Sequence, residues 1–256
     1  MAFAPTLDAL EETVRALGLE APSFYVDSRA VPRLQEGATA AKRCIGNCIR
    51  GRVSVADPQL RLLVVVTAQG FRVILDSEAA PGETDWLNAI HKPHNYLVSL
   101  PVRIAKAMLN MTLRAGDSVL DPFCGTGTIP LLANWAGHRA YGSDISAASV
   151  ARAAENLAHF GREAALVCAD ARDAVQPADC VVSNLPYGIY SHLAPEALRA
   201  ALRNLGRLAP RVTLVASDRI DEDLLAEGYT IERVIRVEPQ RFERLIYFTR
   251  PPDAPP

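Results

Sequence analysis

The chain has 256 residues, 49% of them apolar and 22% charged, with a formal net charge of −2. At about 100–200 residues per domain there is room for one domain or two, with a core that needs no disulfide or metal staples. These values exclude a mainly disordered chain and a small cysteine-stapled scaffold. They leave a nucleic-acid partner open, because binding depends on where charge sits rather than on its sum.

The five cysteines are odd in number and mostly set in apolar runs, which fits a reducing cytoplasm. No stretch reaches about 18 uninterrupted apolar residues, so no transmembrane helix is expected. The opening segment turns acidic at Asp8, Glu11 and Glu12, unlike a signal peptide. Cys44 and Cys48 could share a helix face, but no second Cys or His pair stands at zinc spacing, and no metal site is expected.

In chain order, residues 5–18 read as an amphipathic helix, with Leu7, Leu10, Val14 and Leu17 at helical spacing. A short strand at 24–26 and a stretch of small residues follow. Residues 52–56, 60–67 and 71–76 read as strands, the last two joined by an Ala68-Gln69-Gly70 hairpin turn. Residues 77–96 are turn-rich and read as a linker. Between Arg29 and Arg72 the basic residues are Arg29, Arg33, Lys42, Arg43, Arg50, Arg52, Arg61 and Arg72, against only Glu36 and Asp57. That stretch is either a solvated face or a surface that contacts phosphates.

Past residue 100 the pattern changes to short apolar strands alternating with helices. Helices are expected over 101–111, 129–135, 146–160, 195–208 and 221–228. Ser146 reads as the N-cap of the third of these, with Val150, Ala153, Leu157 and Phe160 as its apolar stripe and Gly161 just beyond its end. Strands are expected over 118–120, 139–145, 165–169, 180–183, 212–216, 229–237 and 244–249. The alternation predicts an α/β domain with a mostly parallel sheet covered on both faces. A short turn at 238–241 makes the last strand antiparallel to the one before it. The expected division is a small α+β module over 1–96 and a second domain over 97–256.

Ligands of such sheets bind at the carboxyl ends of the strands, near the point where strand order reverses. Four strand ends carry notable residues. The first runs Asp121-Pro122-Phe123-Cys124-Gly125-Thr126-Gly127, whose glycines let backbone approach a ligand closely. Dinucleotide dehydrogenases share the paired glycines but carry a third one three residues on; Pro130 stands there instead. The second strand ends in Asp144-Ile145, where a carboxylate can accept from both hydroxyls of a ribose or cap the next helix. The third ends in Asp170-Ala171, where a carboxylate can accept from an adenine amino group.

The fourth strand ends in Asn184-Leu185-Pro186-Tyr187. The Asn184 amide oxygen and the Leu185 carbonyl can both accept from one exocyclic amine. Pro186 has no N–H, which leaves the edge rich in acceptors. Tyr187 can stack on a base.

Asp121–Gly127 followed by Asp144, Asp170 and Asn184–Tyr187 resembles the S-adenosylmethionine-dependent amino-methyltransferases, whose fourth motif is (Asn/Asp)-Pro-Pro-Tyr. With the upstream Ser99-Leu100-Pro101-Val102-Arg103 run, it is similar to the tRNA guanosine-N2 methyltransferases. Leu185 stands where that family has its first proline, but a backbone carbonyl serves equally well from either residue. The resemblance implies a Rossmann-like class I methyltransferase domain with a seven-stranded sheet. It implies a site for S-adenosylmethionine built from Asp121 through Gly127, Asp144, Ile145, Asp170, Ala171 and Asn184. It implies a catalytic strand end at Asn184 through Tyr187, an RNA substrate, most naturally tRNA, and an N-terminal module akin to a reduced THUMP domain. An N6-adenine or rRNA guanine methyltransferase, and an RNA-binding protein that has lost catalysis, are the rival readings.

Overall fold

The computed structural model describes residues 2–30, 34–75, 85–96, 99–186, 193–237, 244–252 and 254. The chain divides into two compact units, Met1–Thr84 and Asp85–Pro256.

The first unit is a five-stranded sheet with two helices on one face. Its strands are β1 (Ala2–Ala4), β2 (Glu20–Ala30), β3 (Arg50–Val53), β4 (Leu60–Thr67) and β5 (Gly70–Leu75), in the order β1-β5-β4-β2-β3. The expected hairpin is β4–β5, antiparallel and closing at Thr67 and Gly70. Helix α1 (Leu7–Ala16) is capped by Thr6, whose side chain accepts from Ala9 N at 3.2 Å. Leu10 and Val14 of its predicted stripe are buried, whereas Leu17 falls past the last turn and is 51% exposed. The stretch of small residues is helix α2 (Gln35–Cys48). Ala38, Ala41 and Ile45 face inward at helical spacing and meet Phe24, Val26, Leu62, Val64 and Val73 in one core. Alanine there both favours the helix and lets it approach the sheet closely.

The second unit is a doubly wound sheet. Its strands are β6 (Ser118–Asp121), β7 (Arg139–Asp144), β8 (Ala165–Cys168), β9 (Cys180–Asn184), β10 (Val212–Ala216), β11 (Thr230–Val237) and β12 (Arg244–Arg250). They lie in the order β11-β12-β10-β9-β6-β7-β8. Strands β6 to β10 pair in parallel, while β12 is antiparallel to both β10 and β11 and lies between them. The helices are α3 (Val102–Thr112), α4 (Thr128–Trp135), α5 (Ala147–His159), α6 (Pro195–Leu208) and α7 (Asp221–Ala226).

Neighbouring residues of one strand feed opposite cores, as a sheet covered on both faces requires. Val119 joins Met108, Leu131, Leu132 and Leu157 on one side. Leu120 joins Leu202, Leu205, Leu214 and Tyr247 on the other. Chain order runs outward through β6-β7-β8 and then returns to β9 on the other side of β6. The β6–β9 boundary is therefore where strand order reverses.

One expectation is corrected here. Residues 85–96 are not linker: Asp85–His91 is a 3₁₀ helix whose Ala89 is buried in the second unit's core, with Trp86 packed against it. Turn-forming residues obscured this, because a single short helical turn carries too few apolar positions to show a period. The turn over 238–241, Arg33, and residues 77–84 of the expected linker lie outside the described residues.

Candidate functional site

The sequence-singled strand ends converge on one cleft of about 520 Å³ at the carboxyl ends of the parallel strands, in the size range of small-molecule sites. Asp121 to Thr126, Asp144, Ile145, Asp170, Ala171, Asn184, Leu185 and Pro186 all line it. Gly127 does not. It sits against α5, where a Cβ would come within 3.0 Å of Ala153 Cβ. Tyr187 lies outside the described residues.

The floor is Asp121, 3% exposed at the end of β6. Its Oδ1 accepts from Ser183 Oγ at 2.5 Å and from Phe123 N at 3.2 Å. Burial pushes its pKa up to about 7, against the lowering effect of those two hydrogen bonds.

The glycine loop is fixed to the next strand by both of its sides. Cys124 N donates to Ser143 O at 2.9 Å, and Gly125 N donates to Asp144 Oδ2 at 2.9 Å. Asp144 Oδ1 accepts from Ser146 N at 2.9 Å. Asp144 thus ties the loop to the start of α5 while its carboxylate still lines the cleft. Gly125 and Gly127 have φ of 51° and 78°, the left-handed region where a side chain is strained. A Cβ on Gly125 would meet open space, so backbone there is bare toward a ligand.

Asp170 is engaged by Arg172, which donates from its backbone N and Nε to Oδ1 and from Nη2 to Oδ2. That guanidinium holds the Asp170 carboxyl below the usual carboxylate range. Ala171 is buried, and its carbonyl accepts from Asn204 Nδ2 at 3.0 Å. Across the cleft, Asn184 Oδ1 is buried with no hydrogen-bond partner among the described residues. Leu185 N donates to Val215 O at 3.0 Å, which holds this strand end to β10.

Residues not singled out as site residues from the sequence complete the wall. Tyr96, Ser99 and Leu100 line it from the segment before α3. Arg152 donates to the Tyr96 hydroxyl. Asn156, wholly buried on α5, accepts from His94 N at 2.8 Å and donates to His94 O and Thr126 O, each at 2.8 Å. A polar residue on the apolar stripe of α5 was the available signal for Asn156.

In the first unit, several of the basic residues are already engaged. Arg29 pairs with Asp27, Arg50 pairs with Glu20, Lys42 stands over the Tyr25 ring and Arg72 over Phe3. Arg43 and Arg52 are exposed.

A doubly wound sheet with a glycine loop, an acidic second strand end and an Asn-x-Pro fourth strand end defines a Rossmann-like domain of the methyltransferase type. The family model for the RMKL-like methyltransferase domain matches residues 91–219, and the chain belongs to that family. Among curated relatives, the tRNA (guanine(10)-N2)-dimethyltransferase of Methanothermobacter thermautotrophicus is 38% identical over 109 residues, 41% of this chain and 32% of that protein. The protein of the same name from Pyrococcus abyssi is 34% identical over 123 residues, 47% of this chain and 37% of that protein. The chain therefore spans about a third of the length of the curated relatives it matches. The solved structure of TrmN from Thermus thermophilus shares the fold with a TM-score of 0.53 at 23% identity, covering 96% of this chain and 78% of that one.

Proposed function

We propose that the chain is an S-adenosylmethionine-dependent methyltransferase acting on an exocyclic amine of a nucleic-acid base, namely guanine N2 in tRNA. The observation that carries this reading is the buried Asn184 Oδ1 at the end of β9, which has no hydrogen-bond partner among the described residues. A buried acceptor left unpaired costs about 1–3 kcal/mol, and a ligand N–H in the cleft answers it.

The residues present fit the cofactor. Bare backbone at Gly125 admits close approach. The Asp144 carboxylate keeps lone pairs for ribose hydroxyls beyond the two amides it accepts from. Ile145, 71% exposed beside it, offers an apolar face to a purine ring. Asp170 Oδ2 keeps a lone pair for an adenine amino group beyond its bond from Arg172. When bound, S-adenosylmethionine supplies an electrophilic methyl group on a sulfonium centre.

The chain's own part is orientation. An exocyclic base amine is a poor nucleophile because its lone pair is delocalised into the ring. Asn184 Oδ1 and the Leu185 carbonyl accept its two hydrogens and turn the lone pair toward the methyl group. Orientation of this kind contributes up to about 7–11 kcal/mol. Asn184 is neutral and takes no proton; the proton leaves the nitrogen for solvent after transfer, when the alkylated amine is acidic. Pro186 adds no competing N–H. The base reaches this recessed strand end unpaired or flipped from its helix.

The names of the curated relatives support tRNA and guanine N2. The basic residues of the first unit, a reduced RNA-binding module in this reading, support a nucleic-acid partner over a protein one. No described helix is long and apolar enough to cross a membrane, and the expected place of work is the cytoplasm. The test is incubation with unmodified tRNA and labelled cofactor, followed by mass mapping of nucleosides. N2-methylguanosine is expected. N6-methyladenosine would transfer the same chemistry to the rival base. Cofactor binding without incorporation into any RNA would favour a non-catalytic RNA-binding protein.

A further inference from the structure

Strand β8 forms one edge of the second unit's sheet and, among the described strands, pairs with β7 alone. An edge with open N–H and C=O groups is a template for another strand unless it is guarded. The opposite edge is guarded: β11 carries Glu232, Arg233 and Arg236, and Glu232 pairs with Arg250. On β8 the run from Ala164 to Ala169 holds no charged residue. Ala165, Val167 and Cys168 are exposed, Val167 by 57%, while Leu166 packs against the core behind the sheet.

The backbone restricts how a second strand sits there. Ala169 N donates to Asp144 O at 3.1 Å, so Ala169 turns its backbone groups toward β7. Bonding direction alternates along a strand. Ala165 and Val167 therefore also face β7, and Leu166 and Cys168 turn their N–H and C=O outward. An antiparallel copy of the same strand, related by a two-fold axis at Leu166, meets that alternation. Each Leu166 N–H then donates to the Leu166 carbonyl of the other copy. Ala165 lies opposite Val167 of the other copy on both sides of the axis, and the exposed apolar side chains cover one another. Beyond the strand ends, Arg162 of one copy falls at Asp170 of the other, opposite in charge. Sliding the axis to Val167 sets Arg162 against Arg172, and sliding it to Ala165 sets Glu163 against Val167. Charge thus selects the register centred on Leu166.

We propose that the β8 edge docks a second copy of this chain, giving a two-fold dimer whose sheet runs on across β8. Four strand residues per copy bury far less than the roughly 1,600 Å² of a standard interface. The dimer is therefore weak and concentration-dependent, with a dissociation constant of about 10–100 µM. Its effect reaches the cleft, because Asp170, Ala171 and Arg172, just past β8, line it. The Arg162 end of each copy borders the rim of the other's cleft. The antiparallel pairing points the two clefts to opposite ends of the joined sheet.

Sedimentation equilibrium of the full chain without RNA reads the association. The mass is expected to rise from monomer toward dimer between about 1 and 500 µM. Val167→Lys sets like charges close to the axis at an exposed position. It is expected to weaken association about tenfold or more and to leave the melting temperature of the dilute chain unchanged. Val234→Lys, the same change on β11 at a residue 39% exposed, is expected to leave association intact. Cross-linking reads the register, in a background of Cys44→Ser, Cys48→Ser and Cys168→Ser. Chains carrying Ala165→Cys and chains carrying Val167→Cys, mixed with glutathione disulfide, are expected to join to each other, since their Cα atoms stand about 4.5 Å apart. Neither is expected to join to itself. A monomer throughout the concentration range, a dimer indifferent to Val167→Lys, or self-joining of either cysteine variant overturns the proposal.

Discussion

Ser183 Oγ donates to Asp121 Oδ1 at 2.5 Å, joining the carboxyl ends of β9 and β6 where strand order reverses. Both residues are buried. The bond puts a carboxyl group and a hydroxyl directly beneath the cleft, in a place with little solvent to stabilise charge.

A pH dependence follows from that pair. The folded-state pKa of Asp121 is raised from 3.8 to about 7, chiefly by burial. Between those values the folded chain holds a proton that the unfolded chain has released. Stability contributed by this group therefore falls as pH rises through that window. Asp121→Asn keeps an acceptor for Ser183 and removes the ionisation. It is expected to flatten that part of the stability–pH curve, measured by urea unfolding followed through Trp86 and Trp135 fluorescence.

At Asn184, the expected effect of Asn184→Ala is a fall in kcat of about a hundredfold or more, as for loss of one positioned polar group in a site. Cofactor affinity measured by calorimetry is expected to change far less. A variant that methylates at the wild-type rate would remove Asn184 from the chemistry.

The two glycines of the loop predict different failures. Gly127→Ala strains φ and drives a Cβ to 3.0 Å from Ala153; a loss of about 1–3 kcal/mol in unfolding free energy is expected. Gly125→Ala meets no protein atom, so its stability cost is smaller, about 1 kcal/mol. Its main effect is expected on ligand affinity, because the new methyl group enters the cleft. Thermal melts with and without cofactor separate the two.

Asn156→Ala removes three hydrogen bonds and leaves His94 N, His94 O and Thr126 O short of partners. A cost of about 3 kcal/mol or more is expected. Hydrogen exchange at residues 92–96 is expected to quicken before the rest of the second unit is affected.

In the first unit, Arg50→Ala with Arg52→Ala is expected to weaken RNA binding. If each arginine neutralises one phosphate, the slope of log affinity against log salt flattens by about 1.8. Cofactor affinity is expected to stay the same, and its loss would make these arginines structural.

The alternation of strands and helices past residue 100, and the strand ends at Asp121, Asp144, Asp170 and Asn184, were readable because each depends on local patterning. Helix α2 was not, since alanine and glycine carry little amphipathic contrast even where Ala38 and Ala41 are buried. The bonds of Lys92 and Asn156 were illegible for another reason. Each acts on a partner thirty or more residues away, Lys92 on Thr128 and Asn156 on His94 and Thr126. Spacing along the chain does not encode such pairs. The bond between Asp170 and Arg172, two residues on, is likewise not encoded by spacing, because only a turned backbone brings the two side chains face to face.

The hydrogen bonds from Asn156 to His94, and from Lys92 to Thr128, also decide where the molecule can be cut. A fragment started at residue 97, the boundary suggested by composition, would discard the strap that braces the glycine loop from behind. Started at Asp85, it retains that strap and the 3₁₀ helix anchoring it. A fragment that keeps the glycine loop braced thus begins at Asp85, well upstream of α3, and shorter versions are expected to fold with a slack loop.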